Sequence, residues 1–382
     1  MKITLIGPVY PYKGGITHFT QQLNQEFSKK HEVQLISWKR RYPSFLVKNQ
    51  VENNSSEVIK KNKSVFVLDY LNPLTWIKVV KLIKRNKSKF VFFNWVSPAM
   101  TPVFYPLTIM IKLFSKAKPI FICHCAKPHE GRLVDSFLTK LSFSNVDYFV
   151  AHSSDEAVEV KKMNKKCSVI TSFLPNFNNF DKVVLSEQLK IDMGLKKRTI
   201  LFFGYIREYK GLWYLIKAMP EIVKQLGDIT LLIVGEFWED KKRYLDLIKD
   251  NNLEDSIVLI DNYVPDKEVG KYFVVSDLLV LPYLTTTQSA IVQTAYHFNK
   301  PCVVTDVGGL SESVKDDYTG YLVPPKDASA LARAAVNFYK LNKKENFIEN
   351  VKVYKQNFSW EKYLGLIEDR FLNSSSCKCK KR

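Results

Sequence analysis

Short runs of β-branched and aromatic residues alternate with amphipathic stretches along nearly the whole chain, and few folds accommodate that pattern. A run such as FVFFNW (90–95) is apolar on both faces, as a strand buried inside a parallel sheet must be. In the first half such runs cover 2–7, 32–37, 90–95, 119–125, 148–153 and 167–172. Residues 173–188, FLPNFNNFDKVVLSEQ, then read as a connection, and the alternation restarts at 199–204, 229–235, 256–261, 277–282, 301–306 and 320–324. Helical patterns lie between, for example GLWYLIKAMPEIVKQL at 211–226. A chain of 382 residues exceeds what one ordinary core holds. The predicted fold class is therefore α/β: two tandem Rossmann-like, doubly wound domains, residues 1–178 and 179–355. Ligands are expected where strand C-termini of both domains face one cleft. An amphipathic helix over 356–373 is expected to pack back on the N-terminal domain, before a disordered basic tail, 374–382.

Charge narrows the partners. Residues 1–178 hold 27 Lys and Arg against 11 Asp and Glu, a surplus of 16 out of the chain's net +19. The lysine runs KRR (39–41), KKNK (60–63) and KVVKLIKRNKSK (78–89) fall there. No RNP, zinc-finger or helix-turn-helix signature accompanies them, so an anionic membrane surface is the expected partner and nucleic acid is not. The longest apolar stretch, 95–114, carries Pro98, Pro102 and Pro106 and reads as a loop plus a buried or interfacial helix, not a span. No leader-like apolar segment opens the sequence, and the six cysteines show neither CxxC pairs nor zinc spacing. A cytoplasmic protein, peripheral on the inner face of a membrane, is expected, with Cys123 and Cys125 as small core residues.

Several loops at strand ends carry chemistry. Gly14 and Gly15 sit at the predicted start of the first helix, where amides and the helix dipole favour an anion; a plain tight turn is the alternative. Gly204, Arg207 and Lys210 follow a strand and precede a helix, and two cations there suit a diphosphate better than a solvated turn. His124 lies at a strand end, with His129, Glu130 and Arg132 in the loop after it; His18 and His129 are weaker candidates. From 282 to 309, PYLTTTQSAIVQTAYHFNKPCVVTDVGG has the layout of a ligand site, yet shows no carboxylate before Asp306.

Together these segments resemble the retaining family-4 glycosyltransferases of GT-B architecture. The likeness covers most of the chain and is strongest over about 199–335. It rests on Gly204, Arg207, Lys210-Gly211, Val234-Gly235, SDLLVLPY (276–283), Lys300-Pro301, DVGGLSE (306–312) and GYLVPP (320–325) in that order. Gly14-Gly15, His124 and AHSS (151–154) stand in family-like places. The resemblance implies that a UDP- or GDP-sugar binds mainly to the second domain, and that a glycan or lipid-linked acceptor enters through the first. It implies that no metal or other cofactor is needed. Arg207 and Lys210 would stabilise the departing diphosphate, aided by the amides of Gly14, Gly15, Ser289 and Ala290. The diphosphate itself would help deprotonate the acceptor, so no strong protein base is required.

Two departures stand out. The family's paired glutamates fall at Thr286 and Thr294, and its arginine after the phosphate-site glycine is Tyr205. Thr286, Thr287, Gln288, Gln293 and Thr294 would then hold sugar and ribose by neutral hydrogen bonds. The rival readings are a non-catalytic nucleotide-sugar binder, a sugar-nucleotide epimerase and a nicotinamide oxidoreductase. The last lacks GxGxxG, and the epimerase lacks the acidic groups it would use.

Overall fold

The parallel pairing read from the alternation is what forms. The computed structural model describes residues 1–42, 64–126, 133–177, 180, 183, 184 and 187–373. It divides into two units, Met1–Phe173 with the segment from Trp360 onward, and Leu174–Ser359.

In the first unit the strands are β1 (Lys2–Ile6), β2 (Glu32–Arg40), β3 (Ser64–Asp69), β4 (Phe90–Trp95), β5 (Lys118–Cys123), β6 (Tyr148–Ala151) and β7 (Ser168–Thr171). They form one parallel sheet in the order β3-β2-β1-β4-β5-β6-β7. The order reverses between β1 and β4, so a switch point opens at their C-terminal ends. Helices cover the sheet, and Phe93, Trp95, Phe104, Phe121, Phe143 and Phe149 interlock beneath them. β3 is a strand that the reading of the sequence missed. It is an edge strand with Val65 and Phe66 exposed, although its run Val65-Phe66-Val67-Leu68 is as continuously apolar as that of the inner strand β11. The Arg40 guanidinium grips Asp69 through two hydrogen bonds, of 2.9 and 3.0 Å, and ties this edge to β2.

The second unit repeats the arrangement with β8 (Arg198–Phe203), β9 (Ile229–Val234), β10 (Ile257–Ile260), β11 (Leu278–Leu281), β12 (Cys302–Thr305) and β13 (Gly320–Val323). The order is β10-β9-β8-β11-β12-β13, again parallel, with the switch point between β8 and β11. Every residue of β9 is buried, as expected of a strand covered on both faces. Asp277, just before β11, accepts from Thr199 N (2.9 Å) and Lys344 Nζ (2.6 Å). It lies at the N-terminal edge, so this motif aspartate braces the sheet.

The predicted 95–114 segment is a 3₁₀ turn, Pro98–Met100, leading into the helix Thr101–Phe114. Among the described residues no helix is long and apolar enough to cross a membrane. The predicted C-terminal helix forms as Trp360–Ile367, and Trp360 and Tyr363 pack on Phe19 of the first helix. Cys123, Cys125, Cys167 and Cys302 are free thiols. The tail 374–382, with Cys377 and Cys379, and the KKNK run lie outside the described residues.

Candidate functional site

At the switch point of the second unit, β8 is followed directly by Gly204, whose φ is +107°. The chain then runs through Arg207 and the 3₁₀ turn Glu208–Lys210 to Gly211, which caps the helix Leu212–Leu226. Lys210 is only 8% exposed. Its ammonium lies where a Gly204 side chain would begin, 3.0 Å from a Cβ placed there, so glycine makes room for the cation. Tyr283, at the end of β11, presents its ring 5.6 Å from Lys210 Nζ. Burial, and secondarily the positive charge of Arg207, pull Lys210 down to about 8. Among the described residues no carboxylate pairs with this ammonium. The Arg207 guanidinium sits 5.6 Å from the ring centroids of both Tyr209 and Trp238.

The loop after β11 closes over the same point. Leu284 N donates to Tyr209 O at 2.6 Å, and a Cβ on Gly211 would overlap Pro282 O. The helix Ala290–His297 starts beside Gly204, with Ile291 Cδ1 3.9 Å from a Cβ built there. Ser289 is its N-cap, its hydroxyl accepting from Ile291 N at 3.3 Å. Ser289 also bonds to the Tyr283 phenol, which burial pushes up and keeps protonated. Gly204, Lys210, Tyr283, Ser289 and the Ala290 end of that helix thus form one locus.

The hydroxyl and amide side chains behave individually. Thr286 is buried and donates to Gln288 O at 2.9 Å. Gln288 accepts from Ser313 Oγ at 3.1 Å, and Gly309 N donates to Thr287 O at 3.0 Å. Thr294 donates back to Ala290 O of its own helix at 3.0 Å. Gln293 is 0% exposed, and among the described residues neither its amide oxygen nor its nitrogen has a hydrogen-bond partner. A buried amide left in that state is a destabilising feature that needs a reason. Replacing Gln293 with leucine is expected to stabilise the unliganded protein by about 1 kcal/mol or more, read by urea denaturation.

At the switch point of the first unit, the helix Gly15–Ser28 starts at Gly15 with Gly14 as its cap. His124 directly follows β5, and its Nε2 is 3.0 Å from Asn94 Oδ1. Asn94 Nδ2 in turn donates to Thr20 Oγ1 at 3.0 Å, and Thr20 donates to Ile16 O at 2.7 Å. Because the Asn94 amide nitrogen is committed to Thr20, its oxygen faces the imidazole, and Nε2 carries the proton. The residue is half-buried, and burial holds its ring well below the usual histidine range, with His152 and Arg41 adding to the effect. His152 behaves likewise: burial lowers it to about 3, and its Nε2 lies 3.1 Å from Tyr363 OH. NMR titration is expected to show both rings neutral at pH 6.

Glu156 joins this end from the helix Ser154–Met163, accepting from Cys123 Sγ (3.0 Å) and from Ala126 N. Burial raises Glu156 to about 7. Sequence reasoning singled out none of Asn94, Thr20, Glu156, Tyr283 or Arg41. The KRR run held Arg41, but as surface charge. His18 lies in the first helix; His129, Glu130 and Arg132 lie outside the described residues. Among the described residues no three His, Cys, Asp or Glu side chains converge as metal ligands.

Two all-parallel Rossmann-like units with glycines and a buried cation at a switch point define a class, and solved structures bear out the fold. The chain is similar to sucrose-phosphate synthase from Thermosynechococcus elongatus, at a TM-score of 0.72 and 17% identity over 98% of this chain and 99% of that one. It is similar to HepE from Anabaena in complex with UDP-glucose, at a TM-score of 0.70 and 15% identity over 98% and 100%. The fold is GT-B. Residues 197–340 match the family described as Glycosyl transferases group 1, and the second unit carries a domain of that family. Among curated relatives, N-acetyl-alpha-D-glucosaminyl L-malate synthase of Bacillus anthracis is 26% identical over 200 residues, 52% of this chain and 51% of its own. Glycogen synthase of Thermodesulfovibrio yellowstonii is 26% identical over 281 residues, 68% of this chain and 53% of its own. The chain thus spans about half the length of these relatives.

Proposed function

We propose that this protein is a glycosyltransferase that moves a sugar from a UDP- or GDP-sugar to a hydroxyl of a glycan or lipid-linked glycan, with retention of anomeric configuration. The observation that carries the reading is the Lys210 ammonium, buried beside Arg207 and with no carboxylate paired to it among the described residues. A buried cation in that state calls for an anionic ligand, and a diphosphate supplies one. In the proposed reaction the bond from anomeric carbon to diphosphate oxygen breaks as the acceptor oxygen bonds to the same face. The acceptor proton passes to the departing diphosphate. Lys210 and Arg207 stabilise the charge gathering there, assisted by the amides where the Ala290–His297 helix begins, and no metal is required. Gln293 and Thr294 are assigned to the donor side, and His124, neutral and oriented by Asn94, to the acceptor side.

Incubating the purified protein with UDP- and GDP-sugars and glycan acceptors tests this, read as nucleotide release and as donor-induced shifts in melting temperature. Release from one donor class is the expected result. A melting shift without release from any donor would favour the second reading, a non-catalytic nucleotide-sugar binder. That reading has its own support: the Thr286 and Thr294 hydroxyls, where glutamates are usual, already bond within the chain.

The Lys210 shift gives a pH dependence. With the free site at about 8, kcat/KM for the donor is expected to fall as pH rises through that value and the ammonium is lost. A bound diphosphate favours the ammonium, so kcat is expected to persist to higher pH.

A further inference from the structure

The first unit carries a second feature at the opposite edge of its sheet, away from the strand C-termini. The C-terminal ends of the helices Pro73–Asn86 and Thr101–Phe114, with the residues that lead into β4 and β5, wall a groove of about 640 Å³. Lys84, Lys87, Lys89 and Lys116 line it, and no carboxylate does. None of these four lysines forms an ion pair among the described residues. Leu113 and Phe114, at the tip of the second helix, line the same groove and are 70% and 59% exposed.

We propose that this groove is the docking surface for an anionic phospholipid bilayer. Four unpaired ammonium groups facing one concavity attract phosphate headgroups, and Lys84 and Arg85 offset the partial negative charge of their own helix end. Leu113 and Phe114 reach the boundary between headgroups and acyl chains, while the lysine stems lie along apolar surface with their charges in water. Nucleic acid matches the charge but offers nothing for an exposed leucine and phenylalanine side by side. With no described helix able to span a bilayer, the chain would lie on the membrane at this edge. β4 has six residues, which places the groove about 20 Å from the strand end that carries Asn94. Docking therefore leaves the His124 end uncovered, and the proposal stands whether or not sugar transfer does.

The full chain is sedimented with phosphatidylcholine vesicles and with vesicles of phosphatidylcholine and phosphatidylglycerol. Binding to the anionic vesicles alone is expected. The variant K84E/K87E/K116E is expected to bind them on the order of 100-fold more weakly, and L113S/F114S about tenfold more weakly. The same charge change on the second unit, K217E/K224E/K249E, is expected to leave affinity within about threefold. Equal binding of the wild type to both vesicle types would overturn the proposal. So would equal losses from the two charge-reversal variants, or stronger binding to duplex DNA than to anionic vesicles. All the substituted residues are exposed, so melting temperatures are expected to stay unchanged. If the triple variant melts early, the milder K87Q/K116Q carries the same comparison, and retention of full binding by it would count against the groove.

Discussion

Replacing Lys210 with methionine is expected to lower turnover by about 10²- to 10³-fold while making the unliganded protein more stable. The two effects have one cause. The ammonium is buried next to Arg207, and burial pulls its pKa down to about 8. Lysine in the unfolded chain titrates near 10.5, so between pH 8 and 10.5 the unfolded state binds more protons and stability rises with pH. Below pH 8 the buried charge is a constant burden. Methionine fills similar space without it, and a gain of roughly 1–3 kcal/mol at pH 7 is expected. The diphosphate, in contrast, loses the cation that faces its developing charge. Steady-state kinetics and urea denaturation read the two effects separately. Turnover within a few-fold of wild type would remove Lys210 from the mechanism. Lost turnover with lowered stability would make the lysine a structural residue.

The second large effect is expected at Gly211. Its φ of +68° lies in the left-handed region, and a Cβ there would overlap the backbone oxygen of Pro282 at the end of β11. Gly194, with φ +65°, has the same backbone conformation and nothing near its Cβ position. Gly194→Ala therefore measures conformation alone, about 1 kcal/mol. Gly211→Ala adds a clash with a strand end that is also held by the bond from Leu284 N to Tyr209 O. A loss on the order of 3 kcal/mol or more is expected, together with displacement of Lys210 and a fall in donor binding. Equal costs at the two glycines, measured by thermal melting, would show that the β8–β11 contact yields easily.

Much of this was legible in the chain before any coordinates. Apolar runs, prolines and glycines are local signals, and burial of both strand faces is written into each run, so twelve of the strands could be placed from sequence. Edge strand β3 was missed although its VFVL run is apolar throughout; it directly follows the lysine run KKNK, which draws the segment toward a charged-surface reading. The cation pair after Gly204 was equally visible, being a short motif at a strand end. That Lys210 has no carboxylate partner among the described residues was not, because that depends on what folding brings near.

The glutamine and threonine positions show the same boundary. The sequence marks Thr286, Gln288, Gln293 and Thr294 as polar residues in a site-like loop and helix. Only the tertiary structure separates them: three are hydrogen-bonded within the chain, and Gln293 is enclosed with both amide atoms unpartnered among the described residues. His124 was legible as a histidine at a strand end. Its tautomer was decided by Asn94, 30 positions away, and by Thr20, 74 positions from Asn94. Sequence by itself determined the alternation of strands and helices, the two-unit organisation and the place of the cations, because each follows from periodicity within a short window. Tertiary structure decided protonation, pairing and burial, because those depend on residues that only the folded sheets bring within hydrogen-bonding distance.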